Sequence, residues 1–176
     1  ETAFVVTVRI GPCTTPGGGG FRFDLILHTD EHKNVVEVVF PVVGGLGGDV
    51  LFMPHHAGER IVQPASTLKS DRYIGFSRAG SRPVGGGRFV REITYCGLAS
   101  MSWLELDHQD GGTYLGSHDP AFHLTGLIVE TDGHTLTLAV RRWCQGEHGT
   151  WDAPPALLVP HDGDWHTGAR IYRNWI

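Results

Sequence analysis

The sequence predicts an all-β fold, a two-sheet antiparallel β-sandwich with a short C-terminal linker helix. Three observations carry the prediction. At least six segments alternate apolar and polar residues with period two. Among 176 residues, 25 glycines and 10 prolines separate those segments with turn chemistry. Few windows place apolar residues at helical spacing, and those lie near the C-terminus.

Taken in order, AFVVTVRI (3–10) is a β-branched run suited to a strand, and the following GPCTTPGGGG reads as a loop. FRFDLILHT alternates Phe21, Phe23, Leu25 and Leu27 against Arg22, Asp24, Ile26 and His28. DEHKN is a turn and NVVEVVFPVV a more uniformly apolar strand. Residues 21–43 therefore read as a hairpin whose return strand is buried on both faces. LFMPHHAGERIVQP gives two short extended pieces around a polar excursion that exposes His55 and His56. The arginine- and glycine-rich stretch from Leu68 to Gly87, with Arg72, Arg78 and Arg82, reads as a long surface loop before the strand RFVREITYC.

YCGLASMSWLELDHQDGGTYLGSHD forms the central hairpin, with DHQDGG as its turn. LTGLIVETDGHTLTLAVRRWC is a second hairpin, closed by a type I′ turn at Asp132-Gly133. QGEHGTWDAPPALLVPHDGDW, with three prolines, reads as an extended connector. DWHTGARIYRNWI offers a helix start, capped by Asp164, with Ala169, Tyr172 and Trp175 on one face. Residues 1–160 are thus assigned to the sandwich and 161–176 to a linker helix whose apolar face awaits a neighbour beyond Ile176.

Composition narrows the function. A net charge of −5 and a pI near 6.1 supply no attraction for nucleic acid. No run reaches the roughly 18 apolar residues of a membrane span. Three irregularly spaced cysteines make neither a disulfide framework nor a zinc knuckle and read as reduced core residues. The histidine groups His28 with His32, His55 with His56, and His118 with Asp119 and His123 lack metal-motif spacing, so neither a metal nor another cofactor is expected. GGLGGD lacks nucleotide-loop spacing, and no G-x-S-x-G elbow supports a serine triad. Glycoside hydrolysis needs two carboxylates about 5–10 Å apart. Of the candidates, the aspartates of DHQDGG serve the turn and Glu105 reads as an outward-facing strand residue.

What remains is a ligand-facing role for polar groups at strand ends: Asp107, His108 and Asp110 in the turn, and His118 and Asp119 after the next strand. Trp103, Tyr114, Trp143, Trp151 and Trp165 supply flat apolar faces of the kind that bind sugar rings.

Three segments, FPVVGGLGGDVLFMPHHAGERIVQP, YCGLASMSWLELDHQDGGTYLGSHD and GDWHTGARIYRNWI, resemble the N-terminal supersandwich (galactose-mutarotase-like) domain of large glycoside hydrolases with a following (β/α)8 barrel. The resemblance implies a non-catalytic sandwich that packs on an absent barrel and lends a loop to a carbohydrate site. In that family the nucleophile and acid/base lie on the barrel. Asp119 becomes the residue expected nearest the sugar, followed by His118, Asp107, His108 and Asp110. The alternative is a free-standing carbohydrate-binding sandwich; a mutarotase acting alone fits less well, since no acid/base pair matches.

Overall fold

The computed structural model describes residues 4–29, 35–69, 80–144 and 149–176. Among these residues, all strand pairings within the two sheets are antiparallel. The larger sheet has seven strands in the order β1 (Phe4–Thr15), β2 (Gly18–Thr29), β12 (Gly149–His161), β9 (Gly111–Ser117), β8 (Trp103–His108), β4 (Val50–Met53) and β5 (Glu59–Val62). The smaller has five: β3 (Glu37–Leu46), β11 (Leu136–Trp143), β10 (Thr125–Thr131), β7 (Arg88–Tyr95) and β6 (Arg82–Gly85). A single turn, α1 (Pro64–Thr67), follows β5, and α2 (Trp165–Trp175) ends the chain. The all-β sandwich is the fold, and neither helix is long and apolar enough to cross a membrane.

Alternation builds the core. Leu104, Leu106 and Leu115 project from β8 and β9 to meet Leu127, Val129, Leu136, Leu138 and Val140 of the opposing sheet. Each such side chain, essentially removed from water, contributes about 1.5–3 kcal/mol. The residues between them face the other way. Trp103, Tyr114, Leu157 and Val159 pack beneath Ile171 and Tyr172 of α2, which lies as a third layer on the outer face of the larger sheet. Asp164 caps the helix by accepting the N–H of His166 at 3.1 Å. The buried face comprises Thr167, Gly168, Ile171 and Tyr172, and Ala169 and Trp175 of the stripe read from spacing pack partly buried against the same cluster.

Several local expectations are corrected. The segment GPCTTPGGGG is mostly strand, because β1 and β2 pair through twelve residues with their turn at Pro16-Gly17. Gly20 suits that position: a Cβ there would come 2.5 Å from the Leu158 carbonyl oxygen of β12. Residues 21–43 are not a hairpin. β2 and β3 lie in different sheets, joined face to face by contacts such as Phe23 on Phe40. Far from being buried on both faces, β3 is an edge strand, as befits one containing Pro41. The turn DEHKN between them, His32 included, lies outside the described residues.

The proline-rich connector is the thirteen-residue β12, placed between β2 and β9. Its register with β2 jumps between Ala153 and Ala156, so Pro154 and Pro155 sit where no N–H is asked of them, while the Pro155 carbonyl accepts the His118 N–H at 2.9 Å. The Asp132 turn is a four-residue loop between Thr131 and Leu136, not a two-residue type I′ turn. Asp132 accepts the N–H groups of His134 and Thr135, both at 2.8 Å, and these hold its carboxyl below the usual range. In the Arg/Gly-rich stretch, Arg72 and Arg78 lie outside the described residues, whereas Arg82 begins β6. Of the cysteines, only Cys144 is buried; Cys13 is half-buried and Cys96 exposed.

Candidate functional site

The polar residues of the central hairpin divide along β9. Asp107 and His108 pair with Gly112 and Gly111 beside the turn at Gln109-Asp110, and His118 and Asp119 follow the other end of the strand. Seven strand residues separate the groups by about 20 Å. They do not share a pocket. Asp107 and His108 line a polar hollow of about 450 Å³ with Asp162, Asp164 and Arg170 at the start of α2. Burial raises the Asp107 carboxyl above its usual range, while the backbone N–H of Trp165 works against that rise. Asp110 is an exposed turn residue.

His118 is structural in its surroundings. Its ring stacks on Trp175 with centroids 4.7 Å apart, and Nε2 lies 2.9 Å from the Tyr114 hydroxyl. Burial lowers its pKa to about 4 and raises that of Tyr114, so at neutral pH the phenol donates to a neutral imidazole. His118 thereby holds the C-terminal half of α2 to the sheet.

Asp119 organises the loop that follows. One carboxylate oxygen accepts the N–H of Ala121 at 2.9 Å; the other accepts the N–H of His123 at 2.7 Å and lies 2.9 Å from His123 Nδ1. The carboxylate is buried, and the imidazole it holds is 60% exposed. Asp119 thus shapes the loop while His123 faces solvent. The loop closes one end of a trough of about 630 Å³ across β1, β2 and β12, whose polar groups are Arg9, Arg22, Asp24, Asp152 and His123. Arg22 and Asp24, which line the trough, are paired, with Nε to Oδ1 at 2.9 Å.

A smaller recess of about 80 Å³ shares Asp119, His123 and Asp152 with the trough and adds Trp143, Trp151 and Arg142. Arg142 ties the two sheets together, donating to the Phe40 carbonyl at 2.8 Å and to Ser117 Oγ at 3.1 Å. Burial lowers its pKa to about 10, against the opposing pull of the Asp119 charge. Arginine, aspartate and histidine edges beside two tryptophans can hydrogen-bond neighbouring hydroxyls and face an apolar ring surface. Two other indoles are placed elsewhere: Trp103 is buried under α2, and Trp165 stacks on Phe52 beside a mostly apolar pocket of about 270 Å³.

The most perturbed carboxylate escaped sequence reasoning. Glu105 does face outward from its sheet, as alternation requires, but α2 covers it completely, and Oε1 lies 2.9 Å from His161 Nε2. The contact has ion-pair distance without hydrogen-bond alignment, and Oε2 has no hydrogen-bond partner among the described residues. Burial raises the Glu105 pKa to about 7, and the contact with Glu105 raises that of His161. The available signal was Trp103, two positions earlier on the same face: a large aromatic residue there marks a surface that must be covered. His55 and His56, expected as exposed loop residues, have rings 4.3 Å apart; His56 is exposed, but His55 is half-buried in a cluster with Glu59 and Arg91. The sequence matches no protein-family model and no curated protein.

Proposed function

We propose that the chain is a non-catalytic β-sandwich domain of a glycoside hydrolase, one that packs on a catalytic barrel and offers the loop at Asp119 to a carbohydrate. The observation that carries this reading is the trough beside that loop, where Arg9, Asp152 and His123 join Trp143 and Trp151 of the adjoining recess. Such a mixture of planar hydrogen-bonding groups and indole faces suits a hydroxyl-rich ring. The placement of the carboxylates favours a binding role. Asp119 is occupied by its own loop, Asp24 by Arg22, and Glu105, raised by burial to about 7, is sealed beneath α2.

The test is calorimetric titration of the chain with a panel of soluble oligosaccharides, together with assays on aryl glycosides. Binding that weakens at least tenfold in Asp152→Ala and His123→Ala, survives in Asp107→Ala, and occurs without turnover is the expected outcome. Failure of every sugar to bind would remove the carbohydrate assignment, and turnover would remove the non-catalytic one. Barrel strands encoded after Ile176 in the intact reading frame would support the partner domain.

A further inference from the structure

Exposed sheet edges invite pairing with other chains, and proteins usually blunt them with short strands, charges, prolines or bulges. Three of the four edges here are blunted. β5 has four residues, including Glu59 and Arg60, and β6 has four, including Arg82 and Pro83. β3 is longer but carries Pro41 and two register irregularities against β11. The fourth edge, β1, is long and has neither proline nor bulge over its first eight residues. It pairs with β2 along its length and with no other described strand, and its only charge is Arg9. Phe4, Val5, Val6, Val8 and Ile10 stand 44–60% exposed on it. Phe4, Val6, Val8 and Ile10 share the face of Leu25 and Leu27, which pack against β3, so β1 overhangs the smaller sheet.

The free N–H and C=O groups of such an edge are matched by an extended polypeptide strand. The β1 sequence itself is self-complementary. In an antiparallel pair centred on Thr7, Phe4 of one copy meets Ile10 of the other, Val6 meets Val8, Val5 meets the aliphatic stem of Arg9, and Thr7 meets itself. The two Arg9 charges then lie four residues apart along the ladder, about 13 Å, so no like charges oppose. Pro12, which lacks an N–H, ends the pairing. We propose that β1 is a homodimerisation edge, joining two copies of the chain through residues 4–10 into one continuous sheet about a two-fold axis at Thr7. The interface is small, so the dimer is concentration-dependent.

Sedimentation velocity across the micromolar range tests this. The chain should pass from monomer to dimer as concentration rises, and Val6→Lys with Val8→Lys should stay monomeric throughout. Both sites are exposed in the monomer, and unchanged circular dichroism would establish that the fold is kept. Register is tested without lysines. In a Cys13→Ser, Cys96→Ser background, Thr7→Cys should give a disulfide-linked dimer on mild oxidation, and Val5→Cys, which faces Arg9, should not. A parent chain that stays monomeric at every concentration, a dimer that survives the lysine pair, or equal crosslinking at positions 5 and 7 would each overturn the proposal.

Discussion

The outer face of the seven-stranded sheet is finished differently at its two ends. Over β8, β9 and β12 it lies under α2, with Trp103, Tyr114 and Val159 almost wholly buried. Over β1 and β2 it is bare, and Val5 is 54% exposed. The strands do not differ in β-propensity. What differs is the room above them. Gly168 allows the helix to approach β8, where a Cβ on it would run into the Glu105 carboxylate and the Trp103 ring, and Gly112 of β9 leaves room for that same carboxylate beneath the helix. The β1 half, where Val5, Thr7 and Arg9 share the outer face, has no such layer among the described residues. One sheet therefore carries a closed region fixed by local packing and an open region whose energetics depend on what joins it.

The sharpest way to break this contrast is to remove the side chain that anchors the helix. Tyr172 is 3% exposed, packs on Trp103, and accepts the Ser102 N–H at 3.2 Å. Tyr172→Ala should cost about 3–5 kcal/mol in denaturant unfolding. A loss under about 1 kcal/mol would mean that α2 is a loosely attached linker. Gly168→Ala should follow at about 1–3 kcal/mol, because steric conflict with the Glu105 carboxylate outweighs the roughly 1 kcal/mol that alanine gains in helix propensity. Stabilisation by that change would show that the helix sits farther from β8 than described.

The covered half should also respond to pH. Glu105 is raised from its ordinary 4.5 to about 7 by burial, and His161 is raised above its ordinary 6.5 by its contact with Glu105. In both cases the folded state holds the proton more tightly than the unfolded chain. Their contribution is therefore full below the unfolded values and is lost as pH rises through the folded ones. Thermal midpoints should fall between pH 5 and 8, by an amount on the order of 2 kcal/mol in stability at most. Glu105→Gln should flatten the trend. A flat profile for the parent chain would mean that water reaches the pair.

Much of this architecture was legible because period-two alternation directly reports which residues share a face, as in W-L-E-L-D and L-T-L-A-V. The failures have physical causes. Prolines at 154, 155 and 160 disguised a central strand because a bulge absorbs two of them, and at Pro160 the ladder is occupied only on the β9 side. The glycine run 17–20 looked like a loop because sequence alone does not show that β12 crosses closely there. At the candidate site Asp119 could be picked out from its position after a strand. The partners that build the trough, Arg9, Asp24 and Asp152, come from three separate strands and acquire meaning only through the β1-β2-β12 order.

The smallest expected effect is the one that best isolates the comparison, since it uses the same near-isosteric change on the same face. Val159 is fully buried under α2, and Val5 lies on the bare outer face opposite His28. Val→Thr alters volume little and adds a hydroxyl, so its cost depends on whether that hydroxyl is solvated. At Val159 no water is available and Ile171 and Tyr172 supply the nearby apolar surroundings, giving an expected loss of about 1–2 kcal/mol. At Val5 the hydroxyl meets solvent and the change should stay within about 0.5 kcal/mol. The measurement is paired urea denaturation at dilute protein, where intermolecular pairing through β1 does not contribute. Repeating Val5→Thr at high concentration sharpens it further: a loss that appears only there means the valine is buried by a second chain, whereas a large loss at both concentrations would mean that β1 is already covered within the monomer.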